Sequence, residues 1–164
     1  MLTEAETYAY LAGIIDGEGS IGIDRQIKQG RTVFRGRMQC NMTDPRPISM
    51  LKDVLGGTVT MQAPHGLGKK WFYHWSSMVV TLDVHLPRLL PYLTVKREQA
   101  ELLLKFRKLK KQSLHRRKTE GRKGRIGAPR LPESYLDECD EMYLHSLQIN
   151  SGKKKPTWRE AAKC

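Results

Sequence analysis

The chain has 164 residues, enough for one domain with a real core, and its 29 Lys and Arg exceed 17 Asp and Glu to give a formal charge of +12. At 39% apolar and 28% charged residues it is too apolar to be disordered throughout and too charged to span a membrane. Met1 to Glu6 lacks the basic start and apolar run of a signal peptide, and Cys40, Cys139 and Cys164 match no zinc spacing, so secretion, a disulfide framework and a zinc module are not expected.

The chain opens on Thr3-Glu4-Ala5-Glu6, a capping-box pattern that predicts a helix running to Asp16 or Gly17. Tyr8, Leu11, Ile14 and Ile15 give this helix an apolar face, while Ala5, Ala9, Gly13 and Gly17 recur every fourth residue as a ridge of small side chains. A Gly inside a helix costs about 1 kcal/mol against Ala, so the ridge needs a physical reason. Close approach of another helix supplies one, either from a second copy or from the same domain. Glu18 stands where the helix dipole is negative, which disfavours a carboxylate unless a cation is near.

Ser20 to Lys28 and Thr32 to Met42 alternate as strands. In the second strand Arg35, Arg37, Gln39 and Asn41 share one face and Phe34, Met38, Cys40 and Met42 the other. Pro47 to Leu55 reads as a helix stopped by Gly56-Gly57. Thr58 to Gln62 and Lys70 to Ser77 read as a second strand pair, with Trp71, Tyr73 and Trp75 on one face and Phe72 and His74 on the other. Helices follow at Val79 to Leu90 and Glu98 to Lys111. Basic residues crowd Lys105 to Arg125 and recur at Lys153 to Lys155; such runs neutralise phosphates without reading bases. Gly and Pro make Gly121 to Pro132 a loop. Residues 1–112 thus read as the core, 113–132 as a basic loop, and 133–164 as a helix and basic tail completing the same domain. The five histidines fall in no metal spacing. The expected fold is α+β, with a four-stranded antiparallel sheet, one face covered by helices and one free to enter a major groove.

Leu11-Ala12-Gly13-Ile14-Ile15-Asp16-Gly17-Glu18-Gly19 resembles the signature of the LAGLIDADG homing endonucleases, with Tyr10 before it and Ser20-Ile21 after it also similar. Asn41-Met42-Thr43-Asp44, the helix ending Leu55-Gly56-Gly57, and Leu90 to Ala100 resemble further sections of that family, so the likeness covers Thr7 to Leu104. The helix at Leu136 to Asn150, followed by Ser151-Gly152-Lys153, is similar less specifically. The resemblance implies the αββαββα fold of that family and, from a single signature, a homodimer packed through Ala9, Gly13 and Gly17 of the motif helix.

It also implies a site. Glu18 matches the metal-binding acid, Gly17 a residue whose carbonyl touches the metal, and Lys96 the basic residue near the scissile phosphate. Asp16 matches a structural acid. Arg46 and Asn41 are taken as the remaining catalytic basic and polar pair, with Met42 the competing match. The implied cofactor is Mg²⁺, with Mn²⁺ or Ca²⁺ able to substitute for binding. The implied substrate is a long, pseudo-palindromic duplex DNA, cut on both strands with a stagger. Strand alternation nominates Ser20, Gly22, Asp24, Gln26 and Lys28, then Arg35, Arg37 and Gln39, and finally Tyr73, as DNA contacts. Two other readings remain open: a maturase assisting splicing of group I intron RNA, and a non-cleaving DNA-binding regulator. A cytoplasmic or organellar setting, chloroplast or mitochondrion, is expected.

Overall fold

A computed structural model describes residues 2–64, 70–119 and 132–151, the side chains of 114–119 apart. The first helix, α1 (Glu4–Glu18), starts at the expected capping box: Thr3 N–H donates to Glu6 Oε2 at 2.7 Å and Glu6 N–H to Thr3 Oγ1 at 3.3 Å. Its buried stripe is Tyr8, Leu11, Ala12 and Ile15. Two long strands follow, β1 (Gly19–Lys28) and β2 (Arg31–Met42), closed by a two-residue turn in which Gln29 and Gly30 both take positive φ. Helix α2 (Pro45–Leu55) is capped by Asp44, which accepts from Arg46 N–H at 2.9 Å, with Pro45 preset for the first turn. Its orphan C-terminal carbonyls find donors on later elements, Thr81 Oγ1 for Leu55 and Trp75 Nε1 for Gly56. Strands β3 (Thr58–Gln62) and β4 (Phe72–Ser76) complete one antiparallel sheet of order β1-β2-β4-β3.

The span Val79 to Leu90, read from sequence as one helix, is broken into α3 (Val79–Val84), α4 (Leu86–Leu89) and a 3₁₀ turn at Leu90–Tyr92. Pro87 removes the amide that a continuous helix would point at Asp83, and Pro91 repeats the interruption. The next helix, α5 (Arg97–Thr119), runs eight residues past the expected end. Lys, Leu, Gln and Arg are good helix formers, and the sequence offers no Gly or Pro before Gly121. The first part of the expected basic loop is therefore helical. The rest of that loop and Lys153 to Lys155 lie outside the described residues. Helix α6 (Glu133–Asn150) closes the described chain.

The core fills one face of the sheet. Ile21 and Ile23 of β1, Phe34, Met38 and Cys40 of β2 and Trp75 of β4 meet α1, α2, α4 and α5 there, with Leu11, Ile15, Leu51, Leu86, Leu103 and Phe106 fully buried among them. The expected α+β architecture, a four-stranded antiparallel sheet with helices on one side only, is what the chain adopts. No described helix is long and apolar enough to cross a membrane.

Candidate nucleic-acid interface

The end of α1 places two acids two residues apart in opposite circumstances. The Asp16 carboxylate accepts the backbone N–H groups of Thr94 (2.7 Å), Val95 (3.1 Å) and Lys96 (2.9 Å), which lead into α5. Burial opposes its charge, but those amides and the Lys96 ammonium outweigh burial and hold the carboxyl below its ordinary value. Lys96 turns back to donate its Nζ to the Asp16 carbonyl, supplying the cation that the negative end of α1 favours. Asp16 is thus structural, a clamp between α1 and α5.

Glu18 is exposed, and among the described residues no hydrogen bond or ion pair engages it. It borders an open cleft of about 290 Å³ whose other walls are Asn41, Met42, Thr43, Asp44 and Phe72. Cys40 lies under this corner: burial pushes its thiol up to about 11, Glu18 adds to the rise and Lys96 opposes it. Gly19 makes the tight exit from helix to strand. A Cβ there would sit 2.7 Å from the Ile15 carbonyl oxygen, a backbone atom that cannot step aside. So Glu18, Lys96 and Asn41 are brought to one corner. Arg46 stands beside it: its guanidinium closes on the carboxylate of Asp44, a wall of the cleft, at 2.5–3.1 Å, and Asp44, held by that guanidinium first and by the Arg46 amide, falls to about 2. Of the competing polar matches, both Asn41 and Met42 line the cleft.

Beyond the cleft runs the open face of the sheet. Cross-strand register puts Ser20 opposite Gln39, Gly22 opposite Arg37, and Asp24 opposite Arg35. Asp24 pairs with Arg37 at 3.3 Å, and Arg37 donates to Gln39 at 3.1 Å. Arg35, Gln26 and Lys28 are exposed, and the Ser20 hydroxyl is buried with no hydrogen-bond partner among the described residues. Further along, Asn41, His74 and Thr60 form one cross-strand row and Gln39, Ser76 and Thr58 the next. His74 Nδ1–H donates to Asn41 Oδ1 at 2.6 Å, and burial, with Arg37 nearby, lowers the pKa of the imidazole.

The donors at the cleft, two carboxylates, a carboxamide and a hydroxyl, are hard oxygen groups that suit Mg²⁺, Mn²⁺ or Ca²⁺ rather than zinc. Among the described residues no three His, Cys, Asp or Glu side chains converge, so the oxygens of one chain fit such an ion without enclosing it.

No protein-family model matches the chain, and a search of curated proteins returns no relative. Solved structures do match. The homing endonuclease I-CvuI, in complex with its DNA target and calcium, superposes with a TM-score of 0.67 at 22% identity over 93% of this chain and 87% of that one. The same enzyme with magnesium and uncleaved DNA gives 0.66 at 24% identity, covering 91% and 85%. The LAGLIDADG homing endonuclease I-GzeII, bound to its DNA target, gives 0.63 at 14% identity over 92% of this chain and 49% of that longer one. The archaeal intron-encoded I-Vdi141I, complexed with DNA, gives 0.56 at 17% over 87% and 99%. The fold is that of the LAGLIDADG homing endonucleases.

On this fold two sequence expectations need correction. Tyr73 shares its face with Trp75, opposite the core residues Met42 and Cys40, and packs against the core; the open-face residues of β4 are Phe72, His74 and Ser76. The alternation was readable, but which face looked inward depended on Trp75 being fully buried. Gly22 is buried under Ser146 and Asn150 and offers no open contact. Three residues of the basic run of α5 turn to partners within the helix layer. Arg107 is buried and bidentate to Asp83, Lys111 joins them at 3.3 Å, and Lys110 donates to the Phe34 carbonyl from the helix layer. His74, Thr58, Thr60 and Ser76 were missed, though their places opposite Asn41 and Gln39 follow once the strand order is known.

The small-residue ridge of α1 is open in the described structure. Ala5, Ala9, Gly13 and Gly17 are exposed, and a Cβ at Gly13 or Gly17 would meet nothing within 4 Å. Among the described residues nothing packs on the ridge at Gly13 or Gly17.

Proposed function

We propose that the chain is a homodimeric, site-specific DNA endonuclease of the homing type, with Glu18 as the acidic ligand of a divalent-metal site completed by a second copy and by phosphate oxygens. The observation that carries the reading is the position of Glu18: a carboxylate without a partner among the described residues, on an open cleft walled by oxygen groups, beside an exposed ridge of small residues and an open polar sheet face. Packing the ridge against its two-fold copy brings two Glu18 carboxylates and the two sheets together, one half-site for each.

Glu18 and the Gly17 carbonyl would hold the ion, and a bound divalent ion lowers the pKa of water and offsets charge on the attacking and leaving oxygens. Lys96 keeps positive charge at the same corner while fixing the end of α1. Asn41, held by His74, presents its amide group to the cleft. Arg35, Arg37, Gln39 and Gln26 supply the fork and carboxamide donors that pair with guanine and adenine edges in the major groove.

The test is cleavage of a pool of random-sequence duplexes, and of the uninterrupted host allele, with and without Mg²⁺. The expected result is a staggered double-strand cut in a small subset of sequences, only with the metal. Tight binding to intron RNA with no cut in any duplex would replace this reading with the maturase one.

A further inference from the structure

β1 is an outer strand of the sheet, and an outer strand leaves alternate amides and carbonyls without ladder partners. Here two of them are taken by side chains of α6. Ile23 N–H donates to Ser146 Oγ at 3.2 Å, and Asn150 Nδ2 donates to the Ile21 carbonyl at 3.1 Å. These groups flank Gly22, and they are the pair of groups that one residue of a neighbouring parallel strand would bond. Ser146 stands for that residue's carbonyl and Asn150 for its amide. Four-residue spacing puts both side chains on one face of the helix, and Asn150 Nδ2 lies 3.5 Å from Ser146 Oγ. A Cβ on Gly22 would come within 3.3 Å of both groups, so glycine at this position lets the helix reach the strand. Further out Arg25 anchors the same helix, pairing with Asp140 at 2.8 Å and covering the Tyr143 ring at 5.0 Å.

We propose that Ser146 and Asn150 act as a surrogate fifth strand and are positioning residues for sequence reading by β1; the second half of this statement rests on the DNA-binding reading of the open face. β1 begins one residue after Glu18 and carries Ser20, Asp24, Gln26 and Lys28 on that face. Because the side-chain period is two, its usefulness as a reader depends on holding its register against β2. Clamping the edge from Ile21 to Arg25 fixes the root of the strand, next to the cleft, and leaves Gln26 to Lys28 at the exposed tip.

The experiment compares the wild-type protein with Ser146→Ala/Asn150→Leu, each checked for fold by circular dichroism. Two measurements are made: hydrogen exchange at the Ile23 amide, and enrichment of sequences from a pool of random duplexes against affinity for the unselected pool. Loss of two hydrogen bonds is expected to raise Ile23 exchange about tenfold. Enrichment falls by a similar factor, affinity for the unselected pool changes by less than about twofold, and Ser146→Thr, which keeps the hydroxyl, retains the wild-type values. Unchanged exchange and enrichment in the folded double variant would overturn the proposal. A parallel loss of selected and unselected binding would overturn the positioning role, since that is what general loosening gives. If the double variant does not fold, Gly22→Ala decides: reduced enrichment is expected, and wild-type enrichment counts against the proposal. A wild-type protein that enriches no sequence overturns the DNA reading itself, whereas faster Ile23 exchange in the variant upholds the strand-edge contact independently.

Discussion

Arg107, Lys110 and Lys111 of α5 and Arg35 and Arg37 of β2 are basic residues on opposite layers of one fold, and they meet different surroundings. Arg107 and Lys111 close on Asp83, and Lys110 caps a strand carbonyl. Arg35 is exposed, and Arg37 meets Asp24 and Gln39 on the open face. The helix end repeats the contrast in acids: Asp16 is saturated by three backbone amides, and Glu18 has no partner among the described residues. Net charge therefore does not locate function here. The distinction lies in whether a charge has been neutralised inside the fold or left for something outside it.

That contrast can be broken from either side. The largest effect is expected at the exposed acid. Glu18→Gln should lower metal-dependent cutting by at least about a thousandfold, the scale of losing a charge-stabilising group, while target affinity stays within about threefold. Cleavage kinetics beside an equilibrium binding titration separate the two, and wild-type cutting by the variant would remove Glu18 from the site. Next comes the saturated cluster. Asp83→Ala leaves Arg107 buried without its partner and should cost about 3 kcal/mol in urea unfolding, with no change in the salt dependence of DNA binding by the refolded protein. Asp16→Ala should cost about 2 kcal/mol by stranding three amides at the start of α5, again measured by denaturant midpoint. The smallest energy belongs to the open face. Arg35→Ala should leave stability within about 0.5 kcal/mol, yet reduce DNA affinity and lower the salt slope by about one unit if it meets a phosphate.

Acid sharpens the same comparison. Arg107 is the main cause holding the Asp83 carboxyl low, and amide hydrogen bonds, working against burial, do so for Asp16. Both carboxyls titrate lower in the folded chain than in the unfolded one. Their contribution is complete above the ordinary carboxylate range and is lost as pH falls through the depressed values. Urea midpoints should therefore drop on acidification in the wild type and drop less steeply in Asp83→Asn.

Much of this was legible in the chain itself. Thr3 and Glu6, the apolar stripe of α1, the alternation of β2 and the glycines after Leu55 each act within a few residues, so local pattern revealed the elements and the resemblance located Glu18. What stayed hidden depended on distant partners. Nothing near Gly22 announces that Ser146 and Asn150, 123 and 129 residues from the groups they bond, cover its edge. Nothing in Lys105 to Lys111 says which layer the helix will join. Tyr73 was misplaced because alternation pairs residues on a face without saying which face is inward, and only the burial of Trp75 decides it.

The central claim is that the exposed ridge of α1 pairs two copies so that each Glu18 serves one strand of a shared duplex. Mixed dimers of wild-type and Glu18→Gln chains, purified through different tags and given Mg²⁺ and a duplex that the wild type cuts, test it directly. One nick, in one strand, is the predicted product. Cutting of both strands by the mixed dimer, or a wild-type protein that sediments as a monomer on DNA, would contradict it.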